Sequence, residues 1–403
     1  MDNVVIVGGG AAGARSAERL RQLGYEGRLR LFAAERHLPY DRPPLSKAAL
    51  TSASVDTTFA IDYTDLDVEV RLGEPVHRLE HDRIWTDRGD IAFDGLVVAT
   101  GSTADPLDVV ARHPRVRYLR TVDDATEIRR VLAADLRIMV VGAGWVGAEV
   151  ASTAAALGAR VTVVERGTTP AGALPGEIGQ HLVAWYAQAG IHFLANTTVT
   201  EVRGRTVALS DGTTTETDLV LVGVGGRPAV DWLAGSPVRY DRRGVLVDAS
   251  LRTSVPGVVA AGDVVCYPSA AAGRRLTIGH RDDAYASAAT AAQTLLGSGE
   301  PPVFDPVPYF WSEQFGRMLQ SAGWLTEEDQ VIWRGRPSDA SWAACWVRDS
   351  RLRGVFAVDR PRDVARARRL IGTGEPVDVA ALVDPDSPIQ VCSALTALDP
   401  TTG

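Results

Sequence analysis

The chain has 403 residues with 45% apolar and 23% charged positions and a formal net charge of −8. That length predicts two or three domains with cores of their own, and the acidic balance excludes general binding to nucleic acid or anionic membranes, which needs a positive field. Three cysteines, Cys266, Cys345 and Cys392, stand far apart with no CxxC, which excludes a thioredoxin-like dithiol and familiar cysteine-based metal sites and leaves them as small buried residues.

The opening MDNVVIVGGG runs straight into a strand and a glycine turn, without the charged and apolar leader of a signal peptide. No apolar run reaches the roughly 18 residues of a membrane span, so a soluble, cytoplasmic protein is expected. Residues 4 to 13, VVIVGGGAAG, predict a buried strand followed by Gly8, Gly10 and Gly13 in GxGxxG spacing. A helix, ARSAERLRQLG, comes next, and then a strand, RLRLFAAE, that ends in Glu35. Gly8 allows the tight turn, Gly10 lets a pyrophosphate approach the backbone, and Gly13 lets helix and strand pack closely. The phosphates sit on a helix N-terminus, and Glu35 is placed for a ribose hydroxyl.

RPPLSKAAL, residues 42 to 50, contains Lys47, the single lysine among 42 lysines and arginines. A GC-rich genome accounts for a general drift to arginine. A lysine that survives that drift marks a place where a compact ammonium fits and a wide planar guanidinium does not.

DGLVVATGS (94 to 102) reads as an apolar strand entering a small-residue turn. The first pattern then recurs at 138 to 147, IMVVGAGWVG, with Gly142, Gly144 and Gly147, a helix AEVASTAAALG, and a strand RVTVVE ending in Glu165. One GxGxxG is a weak signal; two complete strand-glycine-helix-strand-acid units point to two bound dinucleotides. Glu165 favours NADH over NADPH, because a carboxylate pairs with a free 2′-hydroxyl and repels a 2′-phosphate; Arg166 beside it softens that preference. GVVAAGDVV (257 to 265) resembles the ATGS strand-turn. There Gly262 allows a cofactor to approach and Asp263 accepts from a polyol hydroxyl, although an ordinary Gly-Asp turn would look the same in isolation.

YASAATAAQTLLG (285 to 297) predicts a helix that starts at Asp282 or Asp283. The proline-rich GEPPVFDPVP marks a domain boundary, since proline breaks helices and central strands alike. Beyond it come the strand-like SWAACWVRD and LRGVFAVD with a turn at Asp349 and Ser350, and then a helix PRDVARARRLIG.

Taken in order, GGGxAG, PYDRPPLSK, ATGS, GAGWVGAE, GVGGRP, AAGDV and FWSEQF make the chain resemble the FAD-dependent, NADH-using ferredoxin reductases of bacterial haem-thiolate monooxygenases and aromatic-ring dioxygenases. The resemblance covers essentially the whole chain, and RPPLSK and FWSEQ are its more specific parts. It implies an α/β protein with two Rossmann-like dinucleotide-binding domains and a C-terminal α+β domain. The FAD domain (1–105 and 232–303) would be interrupted by the NAD domain (106–231), and the C-terminal domain would span 304–403.

On that resemblance Lys47 faces the flavin ring near N5, where an ammonium stabilises the negative charge of reduction. Glu149 is its partner; a plain solvated helix residue is the alternative at that position. The FAD site then comprises Gly8, Gly10, Ala12, Gly13, Glu35, Arg42, Lys47, Thr100, Gly101, Gly262 and Asp263, with Trp311 on the electron-exit side. NADH falls to Gly142, Gly144, Trp145, Val146, Gly147, Glu165 and Gly225. Trp145 either shields the flavin until NADH displaces it or simply packs. The N-terminus of the 285–297 helix would favour the reduced flavin through its dipole. Trp324, Trp333, Trp342 and Trp346 read as core.

Two stretches depart from the family pattern. TIGHRDDA carries Gly279, His280 and Arg281 where the family has an acid and an aromatic, and TADPL follows ATGS where arginine and proline are usual. No cysteine precedes Cys266, so the redox cysteine of related disulfide reductases, oxidases and peroxidases is missing. Hydride from NADH would therefore pass to FAD, and single electrons would leave to a 2Fe-2S ferredoxin that feeds an oxygenase. Ferredoxins are usually acidic, and Arg348, Arg351, Arg353, Arg360, Arg362, Arg366, Arg368 and Arg369 offer a basic face, unless they are ordinary solvated charge. Rubredoxin reductase, a reductase of a quinone or other small molecule, and a redox-controlled interaction flavoprotein of the apoptosis-inducing type are the rival readings.

Overall fold

A computed structural model describes residues 1–110, 113–172, 174–297 and 299–390; Cys392 lies outside the described residues. The chain forms two compact units, one built from Met1–Ala133 and Leu219–Pro306, the other from Ala134–Asp218 and the residues from Val307 onward.

In the first unit a five-stranded sheet runs in the order Val258–Ala260, Gly95–Val98, Asn3–Val7, Arg28–Ala33, Val68–Leu72. Every neighbouring pair is parallel, with Val7 opposite Phe32 on one side and Val98 on the other. Strands covered on both faces read as continuous apolar runs, and Val4, Val5, Ile6, Leu96, Val97 and Val98 are fully buried. Helix Ala11–Gln22 packs on helix Arg281–Leu296. Alanines keep that contact close: Ala14, Ala17, Ala288, Ala291 and Ala292 are all fully buried.

Helix Arg281–Leu296 begins before the aspartates expected to start it. His280 is its N-cap, with a side chain that accepts from the backbone N–H of Asp282 at 3.4 Å, and Gly297 closes it at φ 64°. Asp282 and Asp283 instead fill its first turn, where carboxylates oppose the exposed N–H groups.

In the second unit Arg137–Val141, Arg160–Val164 and His192–Leu194 form parallel strands, and helix Trp145–Ala156 connects the first two. Both units thus contain a Rossmann-like fold. The C-terminal part is an antiparallel sheet in the order Tyr309–Gln314, Arg317–Gly323, Arg351–Val358, Trp342–Arg348, Gln330–Arg334, with helix Pro361–Thr373 against it. This is the α+β unit that the sequence predicts, and Asp349 and Ser350 turn between its two central strands with positive φ. Trp342 and Trp346 are fully buried in it and pack with Leu174, Ile178, Leu182 and Trp185 of the nucleotide fold. Among the described residues no helix is long and apolar enough to cross a membrane.

Candidate active site

The first glycine turn has the geometry that each glycine is needed for. Gly8 adopts φ +125°, and a Cβ on it would lie 2.0 Å from the Ala99 carbonyl oxygen. A Cβ on Gly13 would lie 1.9 Å from the Gly8 carbonyl oxygen. At Gly10 the opposite holds: a Cβ would meet nothing within 4 Å. That open space adjoins the start of helix Ala11–Gln22, whose N-cap Gly10 offers no side-chain cap. First-turn N–H groups without intrahelical partners, next to a clear approach, fit a diphosphate. Ala12 backs the turn, 2.8 Å from where a Gly262 Cβ would stand.

Glu35 follows the second strand and is gripped by two neighbours. The Tyr40 hydroxyl donates to one carboxylate oxygen at 2.5 Å and Arg42 to the other at 2.6 Å. Arg42 also donates to the Arg120 carbonyl at 2.5 Å and to the Tyr40 hydroxyl at 3.2 Å. Burial raises the Tyr40 pKa, Arg42 opposes that shift and the bond to Glu35 adds to it, so the phenol stays protonated. Burial lowers the Arg42 pKa, but Tyr40 and Glu35 outweigh it and the net shift is upward.

A second knot surrounds the Gly262 turn. Asp263 accepts from Ser102 Oγ at 2.9 Å and from Arg120 at 3.1 Å, and Arg120 Nε donates to the Ser102 carbonyl at 2.8 Å. Burial lowers the Arg120 pKa and Asp263 partly restores it. The Gly262 N–H donates to Ser287 at 2.9 Å. Thr100 Oγ1 donates to the Ala229 carbonyl at 2.7 Å, and Gly101 turns beside it at φ +65°. Arg120 has no part in the sequence reading, and Ser102 enters it only as the last residue of ATGS. Arg120 lies in no glycine motif and only precedes Thr121, the N-cap of helix Val122–Val131, so its spacing gives no signal; Tyr40, inside PYDRPPLSK, could have been found there.

Lys47 sits between one 3₁₀ turn, Pro43–Ser46, and the short helix Ala48–Thr51. Its backbone N–H donates to the Pro44 carbonyl at 3.1 Å, and its carbonyl accepts from Leu50 at 3.0 Å. The two prolines preset this tight double turn, and the half-buried Lys47 is its hinge point.

The second glycine turn repeats the first. Gly142 has φ +96°, a Cβ on Gly147 would lie 2.0 Å from the Gly142 carbonyl oxygen, and Gly144 is the uncapped N-cap of helix Trp145–Ala156. Glu165 accepts from the Ala143 N–H at 2.7 Å and from the Gly167 N–H at 2.8 Å. These bonds fix the carboxylate at the turn that would hold an adenosine ribose, so the residues present fit a dinucleotide here as well. Val146 is exposed. Gly225 belongs to the first unit; it has φ +129° with nothing within 4 Å of its Cβ position, and its carbonyl accepts from Asp105 at 2.9 Å.

Within the second unit the structure brings together two motifs that are 163 positions apart. The buried Glu149 carboxylate accepts from Ser312 Oγ at 2.6 Å and from the Glu313 N–H at 3.2 Å. Trp145 stacks on Phe310 with centroids 4.0 Å apart, and Ser152 accepts from the Phe315 N–H at 2.7 Å. Residues 145, 149 and 152 share one helix face, so GAGWVGAE and FWSEQF meet in register. Trp311 is half-buried on the same strand.

A family model described as "Pyridine nucleotide-disulphide oxidoreductase" matches residues 2–294, and one described as "Reductase C-terminal" matches 309–392. The chain is 34% identical to terpredoxin reductase of Pseudomonas sp over 96% of its length and 97% of the relative's. It is 33% identical to the benzene 1,2-dioxygenase system ferredoxin–NAD(+) reductase subunit of Pseudomonas putida, covering 95% of each chain. A solved covalent putidaredoxin reductase–putidaredoxin complex contains a chain that matches with TM-score 0.89 at 29% identity, covering 95% of this chain and 96% of that one.

Proposed function

This chain belongs to the pyridine nucleotide-disulphide oxidoreductase family, and on that footing we propose that it is a ferredoxin–NAD(+) reductase, taking electrons from NADH onto FAD and passing them singly to a 2Fe-2S ferredoxin that feeds an oxygenase. One observation carries the choice of acceptor. The first cysteine of the chain is Cys266, and Cys266 and Cys345 are both buried as free thiols. The segments of the first glycine turn and the Lys47 turn carry no cysteine for a redox disulphide, which favours a separate carrier as the acceptor. Bound FAD supplies the two-electron to one-electron conversion that such a relay needs.

The chain's own residues bind, orient and exclude. Gly8, Gly10 and Gly13 with the N-terminus of Ala11–Gln22 take the FAD diphosphate, and Glu35, held by Tyr40 and Arg42, takes the ribose. Asp263, oriented by Arg120 and Ser102, takes a hydroxyl of the polyol chain. Gly142, Gly144 and Gly147 take the NADH diphosphate, and Glu165 excludes a 2′-phosphate. Lys47 places an ammonium where negative charge develops, and Glu149, held by Ser312 Oγ and the Glu313 N–H, follows the turn that takes NADH. Trp145, with Phe310 against it, covers the nicotinamide position until NADH enters.

For the carrier, helix Pro361–Thr373 presents Arg362, Arg366 and Arg369 exposed on one face. Of the other arginines expected on that face, Arg348 pairs with Asp329 and Glu328, Arg353 lies over Trp324, Arg360 pairs with Asp363 and Arg368 lies over Tyr309, while Arg351 is exposed as well. An acidic ferredoxin suits these exposed charges. The reading also puts the protein in the cytoplasm, with NADH at hand.

Anaerobic mixing of the FAD-loaded protein with NADH tests the donor half. The flavin absorbance bleaches within the turnover time, more slowly with NADPH, and more slowly with NADH in a Lys47→Arg protein. Unchanged bleaching in Lys47→Arg would remove the special role of Lys47.

A further inference from the structure

Arg281 stands where the chain departs from the pattern that its other motifs follow, and it has a definite occupation. It is the first residue of helix Arg281–Leu296, a place where a cation opposes the helix dipole and needs a compensating partner. Its Nε donates to Asp41 Oδ1 at 2.8 Å, and its guanidinium carbon lies 4.7 Å from the ring centroid of Tyr285, one turn along the helix. Arg15 of the first nucleotide helix contacts that ring too, 4.7 Å from the centroid, with Nη2 3.5 Å from the Tyr285 hydroxyl.

Each end of the ion pair is tied to a different wall of the FAD cradle. Asp41 donates its N–H to the Thr57 carbonyl at 2.8 Å and is followed directly by Arg42, the residue that grips Glu35. At the other end, Ala284 lies 3.9 Å from where a Gly262 Cβ would stand, and a Cβ on Gly279 would lie 3.7 Å from the Asp263 carboxyl carbon. The pair therefore joins the turn that carries Arg42 and Lys47 to the helix terminus beside Gly262 and Asp263.

We propose that Arg281 is a positioning residue of the FAD site, clasping the Asp41–Lys47 segment to the N-terminus of helix Arg281–Leu296 and so setting how firmly the cofactor is held. This rests on the reading that the first nucleotide fold takes FAD. With side chains 23% and 38% exposed, the pair belongs to the class whose loss changes an equilibrium by up to about fivefold.

The test follows FAD release from the full-length holoenzyme, read as recovered flavin fluorescence after dilution, for wild type, Arg281→Gln, Asp41→Asn, the double variant and Arg281→Lys. Both single variants weaken FAD binding by about fivefold, the double variant is no weaker than either single, and Arg281→Lys recovers most of the affinity because it keeps the charge opposite Asp41. Thermal unfolding of the same proteins stripped of FAD stays within a degree or two of wild type, which separates a clasp on the cofactor from a general loss of fold. Single variants that hold FAD like wild type, or single effects that multiply in the double, overturn the proposal while leaving the FAD reading intact. A wild-type protein that retains no FAD would overturn that reading itself, and the clasp with it.

Discussion

Ser312 Oγ donates a 2.6 Å hydrogen bond to the buried carboxylate of Glu149. A strand of the C-terminal sheet thereby holds the acid that follows the second glycine turn, and Gln314 Nε2 donates to the same serine oxygen at 3.1 Å. Ser312→Ala takes a donor from a buried carboxylate, a loss of about 1.5–3 kcal/mol. The expected outcome is a lower denaturation midpoint, partly recovered when Glu149→Gln is added and no charge is left under-bonded. Additive losses in that pair of variants would show the two residues to be uncoupled.

The glycines of the first turn differ in what a methyl group does to them. Gly8→Ala forces a Cβ to 2.0 Å from the Ala99 carbonyl oxygen at a φ of +125°, and a protein that fails to accumulate in soluble form is expected. Gly10→Ala meets open space at an extended φ of −93°, so the fold survives and only the diphosphate is obstructed. Circular dichroism should give a wild-type spectrum for Gly10→Ala, and FAD titration should show at least tenfold weaker binding.

In the C-terminal domain Arg334 is fully buried. It donates to Asp363 at 3.3 Å and to the carbonyls of Leu382 and Ser387 at 2.8 and 2.6 Å. Asp363 also accepts from Arg360 at 2.6 Å. Asp363→Ala strips both arginines of their counter-ion and leaves one in the interior, a loss of about 3–5 kcal/mol. Urea unfolding followed by the buried tryptophans of this sheet should therefore shift more for Asp363→Ala than for Arg334→Met, which removes the buried charge along with its bonds.

Burial pushes the Cys345 thiol up to about 12, with Arg334 pulling it down and Asp363 pushing it up by smaller amounts. An unfolded thiol ionises near pH ~8.5, so above that the unfolded chain sheds a proton that the folded one keeps. The stabilising effect is complete below the unfolded pKa and is lost as pH climbs towards the folded one. Alkaline unfolding should consequently be blunted in Cys345→Ala. In native protein at about pH 8.5 the Cys345 peptide should resist iodoacetamide, as judged by mass spectrometry, and react once the chain is unfolded; fast native labelling would contradict the burial.

Both nucleotide folds were legible because their signal is local. Glycine spacing, a following helix and an acid at the end of the next strand are all fixed by short-range geometry, and Gly8, Gly13, Gly142 and Gly147 take up the positions that this geometry demands. The C-terminal strands and helix were legible for the same reason, from apolar runs, a turn and a proline start. Long-range polar partners were not. Arg120 reaches Asp263 across 143 positions and Ser312 reaches Glu149 across 163, and no periodicity links residues so far apart. The start of helix Arg281–Leu296 was misplaced because His280, a weak capping residue, does the work expected of an aspartate.

The most direct measurement is NADH-dependent reduction of cytochrome c by the purified, FAD-loaded protein, with and without added 2Fe-2S ferredoxins. A carrier reductase predicts a slow rate alone and a large increase, saturable in ferredoxin, when an acidic 2Fe-2S ferredoxin is present. Rapid flavin bleaching by NADH with no dependence on any ferredoxin would contradict that account and turn attention to a rubredoxin or small-molecule acceptor.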